Sequence, residues 1–494
     1  MRTTSRECRD WRQGEPRPRR RVLVLAVLSL AAAGCGFRDM PHGHPDRAAG
    51  FRDMPQGHPD RAAGLGDVTR GHPGGAAAGA GRGPARGDRE HLEMWALGRE
   101  GEVVQELLPE FERRHPGLDI EVQQIPFIAA HEKLLTAFVG RSTPDMAQLG
   151  STWIPELAAI GALADLDGQV AASRALAAGD YFAGSWDGGV IDGRVYAIPW
   201  YVDTRLLFYR SDLLRAAGCE MPPRTWSSWR RCMEQVKARA GPGNFAILLP
   251  VNEYPPPLAL LLEAGSPLLR DGGRYGAFRD PRSRRAMAFY VDLFRAGLAP
   301  AVPDYRVANL YQLFAQGWFA MYVSGPWDIG EFRRRLPAAL AGSWATAPLP
   351  APDEAGAGAG NSLVGGASLV IFRGSRHARA AWELIEYLSE PAQQARFYAL
   401  MGDLPARRAA WQDPALAGDP MVRAFREQLQ HAVAAPKVPE WEQIANLIWE
   451  RAEGAIAGRQ DLDRALAGLD GDADRILEKR RWLLRRQQGH GAGR

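Results

Sequence analysis

The sequence predicts an α/β protein built as two lobes, each with its own sheet. Strand-like segments alternate with amphipathic helical segments of about 10 to 15 residues, a pattern that is typical of βαβ units and parallel sheets. The pattern runs once from Glu90 and starts again at Leu206. In addition, roughly 460 residues follow the N-terminal apolar segment, which is too many for one compact core and enough for two.

The first set of elements opens with a strand. Leu92, Met94 and Ala96 occur at every second position, as expected for a strand with one buried face. The helix that follows carries its apolar residues on one face. Pro109 lies inside this helix, and because proline has no N–H and clashes with the preceding turn, we expect it to kink the helix or end it early.

Two more strands and a helix complete this set. Residues 118–122 alternate as a second strand, residues 126–140 form an amphipathic helix, and residues 145–149 form a third strand. Ligands of parallel sheets bind beyond the carboxyl ends of the strands. The turn Gly150-Ser-Thr-Trp153 occupies that position, so we treat it as a candidate site.

The second set shows clear helix ends. Ser211 is expected to cap a helix that Gly218 ends, and Thr225 is expected to cap the next helix. Asp280, followed by proline, is a favoured cap for a helix that runs to Phe294. The other predicted elements are strands at residues 206–209, 245–249, 318–323 and 368–372, a Gly/Ala loop at 355–360, a helix at 378–389, a largely helical stretch at 439–479 and a basic, frayed end at 482–494.

The N-terminus predicts export. A basic segment that ends at Arg21 precedes an apolar run of about a dozen residues, a sequence typical of an export signal. The run is shorter than the roughly 20 apolar residues that span a bilayer. Residues 32–35, Ala-Ala-Gly-Cys, resemble a bacterial lipobox, which implies that residues 1–34 are a lipoprotein signal peptide and that Cys35 is lipidated. An ordinary signal peptide with an incidental cysteine is the alternative.

Residues 35–88 are predicted to form a lipid-anchored disordered linker. Residues 37–50 are repeated at 51–64 with one change, His42 to Gln56, and the 14-residue repeat has no apolar stripe that would stack into a solenoid. The Gly-rich and Pro-rich stretch that follows cannot bury enough surface to offset its ordering entropy. The histidines of this segment are not spaced for an organised site, so we expect no metal and no cofactor.

Composition narrows the possible ligands. The formal charge is +4, and no basic patch is interleaved with aromatic residues, so nucleic acid is not an expected partner. The chain has 15 tryptophans. Tryptophan offers a broad apolar face with one hydrogen-bond donor, which suits ligands that are partly apolar and partly hydroxylated. Most of the tryptophans are nevertheless expected to pack in cores.

Cysteine usage allows one internal bridge. Cys8 leaves with the signal and Cys35 is expected to be lipidated, so Cys219 and Cys232 remain. An oxidising compartment permits a disulfide between them, with a structural role only. The sequence leaves both states open. Their spacing is not that of zinc ligands.

Several segments form an ordered series along the chain. They are residues 92–115, Leu163-Ala-Asp-Leu-Asp167, Val190-Ile-Asp-Gly-Arg-Val-Tyr-Ala-Ile-Pro-Trp200, Tyr201-Val-Asp-Thr-Arg-Leu-Leu-Phe-Tyr209, residues 222–226, Ser324-Gly-Pro-Trp327, Gly365-Gly-Ala-Ser-Leu-Val-Ile371, residues 380–391 and Gly402-Asp-Leu-Pro-Ala-Arg407. Together they resemble the extracytoplasmic solute-binding proteins of carbohydrate ABC importers, the maltose-binding-like family 1. The series as a whole carries the resemblance, which covers roughly residues 90–485.

The resemblance implies a two-lobed, periplasmic-binding-protein-like fold of type II, with a hinge and a cleft between the lobes. It also implies permease subunits of an ABC transporter as partners, and a location outside the cytoplasm, lipid-anchored to the cell membrane or facing the periplasm. The implied interlobe crossings lie near residues 199–203, 370–373 and 413–421. They divide the chain into lobe I at 89–200 and 373–416, lobe II at 201–372 and 417–485, and a frayed basic tail at 486–494.

Aromatic residues are the first candidates for binding a sugar. Trp327 follows a predicted strand and a Gly-Pro turn, and the resemblance implies that it is a stacking platform; plain core packing is the alternative. Trp153 has the analogous place on the other lobe. Trp95 and Tyr201 are further candidates, although aromatic residues in strands mostly serve the core.

Polar candidates would meet the hydroxyl groups of a sugar. Asp203 lies at the first crossover, where a carboxylate can accept from two neighbouring hydroxyls; a helix cap or hinge ion pair is the alternative. Arg407 matches a position where the family often supplies a guanidinium, and a solvated arginine is the alternative. Thr152 would offer a hydroxyl group, and Gly366, which has no side chain, would let the ligand approach the backbone closely. Ala367 stands where relatives often carry a glutamate, which leaves hydrogen bonding there open.

Enzymatic interpretations find little support. The sequence has no Gly-x-Ser-x-Gly elbow, no His-Glu-x-x-His motif and no phosphate-binding glycine loop. A pair of carboxylates across a cleft, as in glycoside hydrolases, is the enzymatic alternative. The resemblance instead implies a lipid-anchored receptor, not an enzyme, that captures an oligosaccharide or glycoside and delivers it to an ABC permease.

Overall fold

A computed structural model of the chain describes residues 89–307, 309–355 and 360–491. The predicted export signal, Cys35, the repeat and nearly all of the linker lie outside these residues, as does most of the predicted loop at 355–360. Within the described part, strands and helices alternate, and the predicted α/β class is confirmed.

The strands fall into two main sheets and two short pairs. They are β1 (Glu90–Leu97), β2 (Leu118–Ile125), β3 (Met146–Gly150), β4 (Val190–Ile191), β5 (Arg194–Val195), β6 (Ile198–Thr204), β7 (Leu206–Tyr209), β8 (Phe245–Leu248), β9 (Leu269–Arg270), β10 (Tyr275–Gly276), β11 (Phe319–Ser324), β12 (Ala345–Ala347), β13 (Ser362–Ile371), β14 (Leu404–Pro405) and β15 (Ala432–Val433).

The helices connect and cover these strands. They are α1 (Glu100–Val103), α2 (Leu108–Arg114), α3 (Phe127–Gly140), α4 (Ile154–Ala159), α5 (Asp167–Ala172), α6 (Ala183–Gly188), α7 (Ser211–Ala216), α8 (Trp226–Ala240), α9 (Pro255–Glu263), α10 (Pro281–Arg295), α11 (Leu310–Gln316), α12 (Trp327–Arg335), α13 (Ala378–Leu388), α14 (Pro391–Met401), α15 (Pro414–Ala417), α16 (Pro420–Leu429), α17 (Trp441–Ile456), α18 (Leu462–Ile476) and α19 (Glu478–Gly491).

The larger sheet has the strand order β14–β6–β13–β3–β1–β2, with β15 beside β13. β1 pairs in parallel with β2 and β3, as predicted. However, β13 is antiparallel to both β3 and β6, and β14 is antiparallel to β6, so the sheet is mixed rather than parallel. Since β13 reaches the sheet from more than 150 residues further along the chain than β6, no local pattern indicates its direction.

The smaller sheet has the order β12–β7–β11–β8. β7 is antiparallel to β11 and β12, whereas β8 and β11 are parallel. Arg205 is the single residue between β6 of the larger sheet and β7 of the smaller one. The first connection between the sheets is therefore very short.

Predicted lobe boundaries differ from the sheet memberships in three places. The predicted second lobe includes residues 201–204, 362–371 and 432–433, yet these pair within the larger sheet as the end of β6, the whole of β13 and β15. The boundaries stay a prediction, and Arg205 marks where the chain first passes from one sheet to the other.

The core is apolar and rich in tryptophan. Trp200 and Trp411 are buried on the larger sheet, and Trp229 and Trp441 are buried beside the smaller sheet. None of the described helices is long and apolar enough to cross a bilayer. No group of three or more side chains that could ligate a metal occurs among the described residues.

Helix ends follow the sequence signals with one exception. Pro109 lies in the first turn of α2, because the preceding helix stops before it. Thr225 and Asp280 cap α8 and α10 as predicted. The prediction for Ser211 is wrong: it is the first residue of α7, and Arg210, where the chain is still extended, holds the cap position.

The described part of the C-terminal stretch, up to residue 491, is helical. The basic stretch beyond residue 477 forms α19, and Arg481 Nη1 donates to the carbonyl oxygen of Arg274 at 3.0 Å. The same guanidinium lies 4.7 Å from the centre of the Tyr275 ring. These long-range contacts hold the helix against β10, and the absence of a clear apolar stripe explains why the sequence did not predict it.

Cys219 and Cys232 form a disulfide, which resolves the alternative that the sequence left open. The bridge joins the turn after α7 to the middle of α8, with a Cα–Cα distance of 5.1 Å. Cys232 is buried in the core beside the smaller sheet, where α8 packs.

Replacing both Cys219 and Cys232 with serine is expected to lower the free energy of unfolding by about 3 kcal/mol, because the bridge closes a loop and restricts the unfolded chain. The two cysteines are 13 residues apart. Urea unfolding of the oxidised protein, the reduced protein and the double serine variant measures the effect. Equal stability of the oxidised and reduced proteins would contradict it.

Candidate ligand-binding site

Asp203 and Arg205 lie together where the two sheets join. Asp203 is near the end of β6, and Arg205 Nη1 donates to Asp203 Oδ1 at 3.0 Å. About a fifth of each side chain is exposed. The ion pair is thus mostly shielded from water. It lies in the connection between the sheets, where a hinge ion pair is the alternative to a ligand contact for Asp203.

Trp327 begins α12, directly after β11 and a Gly-Pro turn. It is 41% exposed, whereas most of the described tryptophans are buried. The guanidinium carbon of Arg205 lies 4.6 Å from the centre of its ring. Arg205 therefore brings two predicted site residues, Asp203 and Trp327, into one cluster.

Gly325 determines how the indole lies. A Cβ atom at this position would be 2.1, 2.2 and 2.6 Å from three atoms of the six-membered ring of Trp327. Similar distances to three ring atoms mean that the added carbon would lie over the ring face. The glycine consequently allows the indole to rest flat against the backbone.

Glu253 and Tyr254 add a carboxylate and a phenol to this cluster. They follow β8 and precede α9, at the carboxyl end of a strand of the smaller sheet. Burial raises the pKa of Glu253, and the charge of Arg205 counteracts this shift. Burial and the Glu442 carboxylate raise the pKa of Tyr254, again opposed by Arg205.

Thr152 connects the turn after β3 with helix α17. Its hydroxyl donates to Glu442 Oε1 in a short hydrogen bond. The neighbouring hydroxyl, Ser151 Oγ, donates to the carbonyl oxygen of Gly366 at 3.0 Å. Thr152 therefore lies at a contact between the larger sheet's β3 turn and a helix that packs on the smaller sheet.

Tyr201 orients its surroundings through a chain of hydrogen bonds. Gln148 accepts from the Leu97 amide at 2.9 Å and donates to the Tyr201 hydroxyl at 3.1 Å. The Tyr201 hydroxyl donates to Glu100 Oε1 at 2.8 Å. Because the ring is buried and its hydroxyl is fully used, the structure gives Tyr201 a supporting position beside Asp203.

Asp403 is a buried acid next to this chain. Burial, and then the negative charges of Glu100 and Asp203, raise its pKa well above the usual range. Its Oδ2 atom has no hydrogen-bond partner among the described residues. The carboxyl group is therefore more easily protonated in the folded protein than in the unfolded chain.

Asp403→Asn is expected to raise stability by roughly 1 kcal/mol at neutral pH, a usual size for a single polar substitution. A raised pKa in the folded state means that the folded protein binds more protons above about pH 4, so the wild type loses stability as the pH rises from there. The asparagine variant lacks this loss. Urea unfolding between pH 4 and pH 8 measures it, and a stability difference independent of pH would contradict the interpretation.

Trp95 and Trp153 are core residues in this structure. Trp95 is 6% exposed, and Trp153 is 7% exposed. Trp153 lies under Phe127, with ring centres 5.3 Å apart, and beside His131 at 5.2 Å. The side chain of Phe127 is 56% exposed, so it, rather than Trp153, presents an aromatic face to solvent there.

Arg407 is not brought together with the cluster. Its Nη2 donates to Asp180 Oδ2 at 2.9 Å and its Nη1 donates to the Ser389 carbonyl oxygen at 3.1 Å. Only 11% of its side chain is exposed, so it is not the solvated arginine of the alternative. These partners are separate from those of Asp203 and Trp327, and they indicate a structural ion pair.

Gly366 lies inside β13, opposite Val202 of β6. Its φ is +102°, and a Cβ atom would be 2.3 Å from the Tyr201 carbonyl oxygen. The close approach that was predicted for a ligand is made here by the neighbouring strand. Ala367, at the following position, is buried in the sheet.

Arg205, Glu253, Tyr254 and Glu442 are not among the site residues predicted from the sequence. Glu253 and Tyr254 carried a usable signal, since they follow the apolar strand at 245–248, and the ends of such strands hold ligands. Glu442 lies at the start of a long amphipathic helix, and its contact with Thr152 has no local signature.

Comparisons with known proteins agree with this architecture. Residues 95–395 match the family described as bacterial extracellular solute-binding protein. The chain belongs to this family. The resemblance indicated by the sequence motifs, to MalE-like solute-binding receptors of ABC transporters, is thereby confirmed, and the family is one of binding proteins rather than enzymes.

Individual relatives give the same result. The sugar-binding protein MalE of Xanthomonas citri is 46% identical, covers 80% of this chain and 99% of its own, and has a TM-score of 0.78. The GacH receptor of Streptomyces glaucescens, solved unliganded and with acarbose, is 26% identical over 78% of this chain and 98% of its own, with a TM-score of 0.68. An uncharacterised lipoprotein of Streptomyces antibioticus is 27% identical over 74% of this chain and 82% of its own.

Proposed function

We propose that this solute-binding protein captures an oligosaccharide or glycoside between two lobes and delivers it to the permease of an ABC importer. One observation carries the proposal: a partly exposed indole, Trp327, lies in the same cluster as the charged side chains of Asp203 and Arg205. A sugar ring presents C–H groups to an aromatic face and hydroxyls to charged partners.

Glu253 extends the polar part of this site. Its carboxylate has no hydrogen-bond partner among the described residues and is partly buried near Arg205. Its carboxylate oxygens are therefore free to accept hydrogen bonds from the hydroxyls of a ligand. Asp203 and Glu253 together offer acceptors for several hydroxyls around one ring.

Closure of two lobes requires that both contribute to the ligand, because a ligand shifts the open and closed populations only by its differential affinity. The predicted contacts at Trp153, Thr152 and Arg407 on one lobe and at Trp327 and Gly366 on the other stay predictions. Of these, Thr152 has the most direct support, since it bonds to a helix beside the smaller sheet.

The relatives support a sugar as the ligand class. MalE of Xanthomonas citri is a sugar-binding protein, and the GacH receptor was solved with acarbose, an oligosaccharide analogue. A chain that is 46% identical to the first over nearly the whole of that protein is expected to share its general ligand chemistry.

A thermal-shift panel of monosaccharides and oligosaccharides, including maltose, maltotriose and acarbose, tests the proposal. A ligand that binds only the folded state raises the melting temperature, and the stabilisation grows with the logarithm of the ligand's excess over Kd. We expect an oligosaccharide to give the largest shift, without new reducing ends after long incubation. No shift with any sugar, or steady accumulation of reducing ends, would contradict the proposal.

We further propose that Cys35 anchors the receptor to a membrane through lipid. The lipobox-like residues 32–35 support this, as does the lipoprotein among the relatives. Two or three acyl chains, at about 0.8 kcal/mol per buried methylene, give stable anchoring where a single chain binds only reversibly. The linker at 35–88 would then separate the folded body from the bilayer.

Cys35→Ser is expected to move the protein from the membrane fraction to the soluble fraction of the cell envelope, because the thioether cannot form. Fractionation and immunoblotting of the expressed full chain measure this. Cys219→Ser serves as the control, since that cysteine is used in the disulfide and should not affect anchoring. Membrane retention of the Cys35 variant would contradict the lipid anchor.

A further inference from the structure

The Trp327 indole has two close neighbours in this structure. The backbone at Gly325 lies against the ring, since a Cβ there would be within 2.6 Å of three ring atoms. The Arg205 guanidinium lies 4.6 Å from the ring centre. Arg205 therefore occupies space over the ring that a stacked sugar would need.

Arg205 is held there by contacts that can be exchanged. Its guanidinium donates to Asp203, and its position over the indole is a cation–π contact, which is weak where water has access. Its backbone carbonyl accepts from Ser362 Oγ at 2.8 Å, which fixes the main chain. The side chain can therefore move while the backbone stays in place.

A second carboxylate, that of Glu253, interacts electrostatically with Arg205. The Glu253 carboxylate has no hydrogen-bond partner among the described residues, and the charge of Arg205 acts on it directly. Because Asp203 already accepts a hydrogen bond from the guanidinium, the charge of Arg205 stays compensated when it leaves the indole, and Glu253 stays available to the ligand.

From these contacts we propose that Arg205 is a displaceable cover of Trp327: its guanidinium holds the place of a sugar ring in the free receptor and leaves when the sugar stacks. The inference rests on the proposed function, because it takes Trp327 as the stacking platform. A covered platform lowers the apparent affinity by the fraction of receptors in which it is uncovered. Arg205 thus sets how strongly a ligand must stack in order to bind.

Arg205→Ala is expected to lower the sugar Kd by about three- to tenfold, since the cover no longer competes. Isothermal titration with maltotriose and acarbose measures it. Arg205→Lys, which keeps the charge but lacks the planar group, should give a smaller decrease. Arg270→Ala is the matched control, because Arg270 pairs with neighbouring Asp271 and lies 4.6 Å from the Tyr275 ring, away from the cluster. A Kd that is unchanged or higher in Arg205→Ala would overturn the cover.

A second measurement needs no ligand. The Arg205 Nε–H resonance of the free wild type is expected to be shifted upfield by the indole ring current, and Trp327→Leu should remove this shift. Addition of a bound sugar should also remove it in the wild type. An Arg205 resonance that does not respond to Trp327→Leu would overturn the proposal.

The titrations and the ring-current measurement distinguish failure of the proposed receptor function from failure of the proposed Arg205 cover. If no sugar of the panel binds the wild type, the proposed function fails, while the ring-current shift still decides whether Arg205 covers Trp327. If sugars bind and Arg205→Ala weakens them, the receptor function stands and Arg205 is a direct ligand contact instead of a cover.

Discussion

Trp327→Ala is expected to raise the sugar Kd by about thirtyfold, equivalent to roughly 2 kcal/mol, while leaving the fold intact. The indole is 41% exposed, so its removal leaves little cavity in the core. It is also the broad apolar face of the cluster, and the ligand would lose that contact entirely. Isothermal titration with the tightest sugar of the panel, together with thermal unfolding, measures both quantities.

Trp482→Ala is the control for this substitution. Trp482 is 49% exposed, and an arginine, Arg486, lies 4.6 Å from its ring centre, as Arg205 does over Trp327. It lies on α19, outside the proposed site. Wild-type affinity in Trp327→Ala, or an equal loss in Trp482→Ala, would remove Trp327 from the ligand contacts.

Gly366→Ala is expected to lower the free energy of unfolding by about 3 kcal/mol. The residue has a φ of +102°, where an L side chain is strained, and its Cβ would lie 2.3 Å from the Tyr201 carbonyl oxygen. β13 lies between β3 and β6, so neither neighbour can move aside without disturbing the sheet. Urea unfolding measures the loss.

Gly342→Ala provides the comparison. A Cβ at Gly342 would have no heavy atom within 4 Å, and its φ is outside the left-handed region. This variant should therefore unfold close to the wild type. If Gly366→Ala were as stable as Gly342→Ala, the close packing of β6 against β13 would be refuted.

Local signals predicted the elements well. The strand at 206–209 coincides with β7, and the caps at Thr225 and Asp280 start α8 and α10 as expected. These features depend on residues within a turn or two of each other. A prediction from sequence has direct access to such information.

Pairing between strands that are far apart along the chain could not be predicted from local sequence patterns. The direction of β13 between β3 and β6 depends on a segment far along the chain, and this made the larger sheet mixed instead of parallel. Similarly, Arg205 meets Trp327 only because β7 and β11 are neighbours in the smaller sheet. Nothing near either residue indicates that contact.

The structure brings only some of the predicted site residues together. Asp203 and Trp327 lie in one cluster, whereas Trp95 and Trp153 pack in the core and Arg407 pairs with Asp180. Residue type alone did not separate an aromatic side chain that faces solvent from one that fills a core. Burial decided between them, and burial depends on the assembled sheets.

The helix at the C-terminal end has a practical consequence for protein engineering. Arg481 ties α19 to the segment around Tyr275, so a truncation before residue 478 would strip a packed surface, not a loose end. Reporter fusions or purification tags are therefore better joined beyond Arg481 than in place of α19.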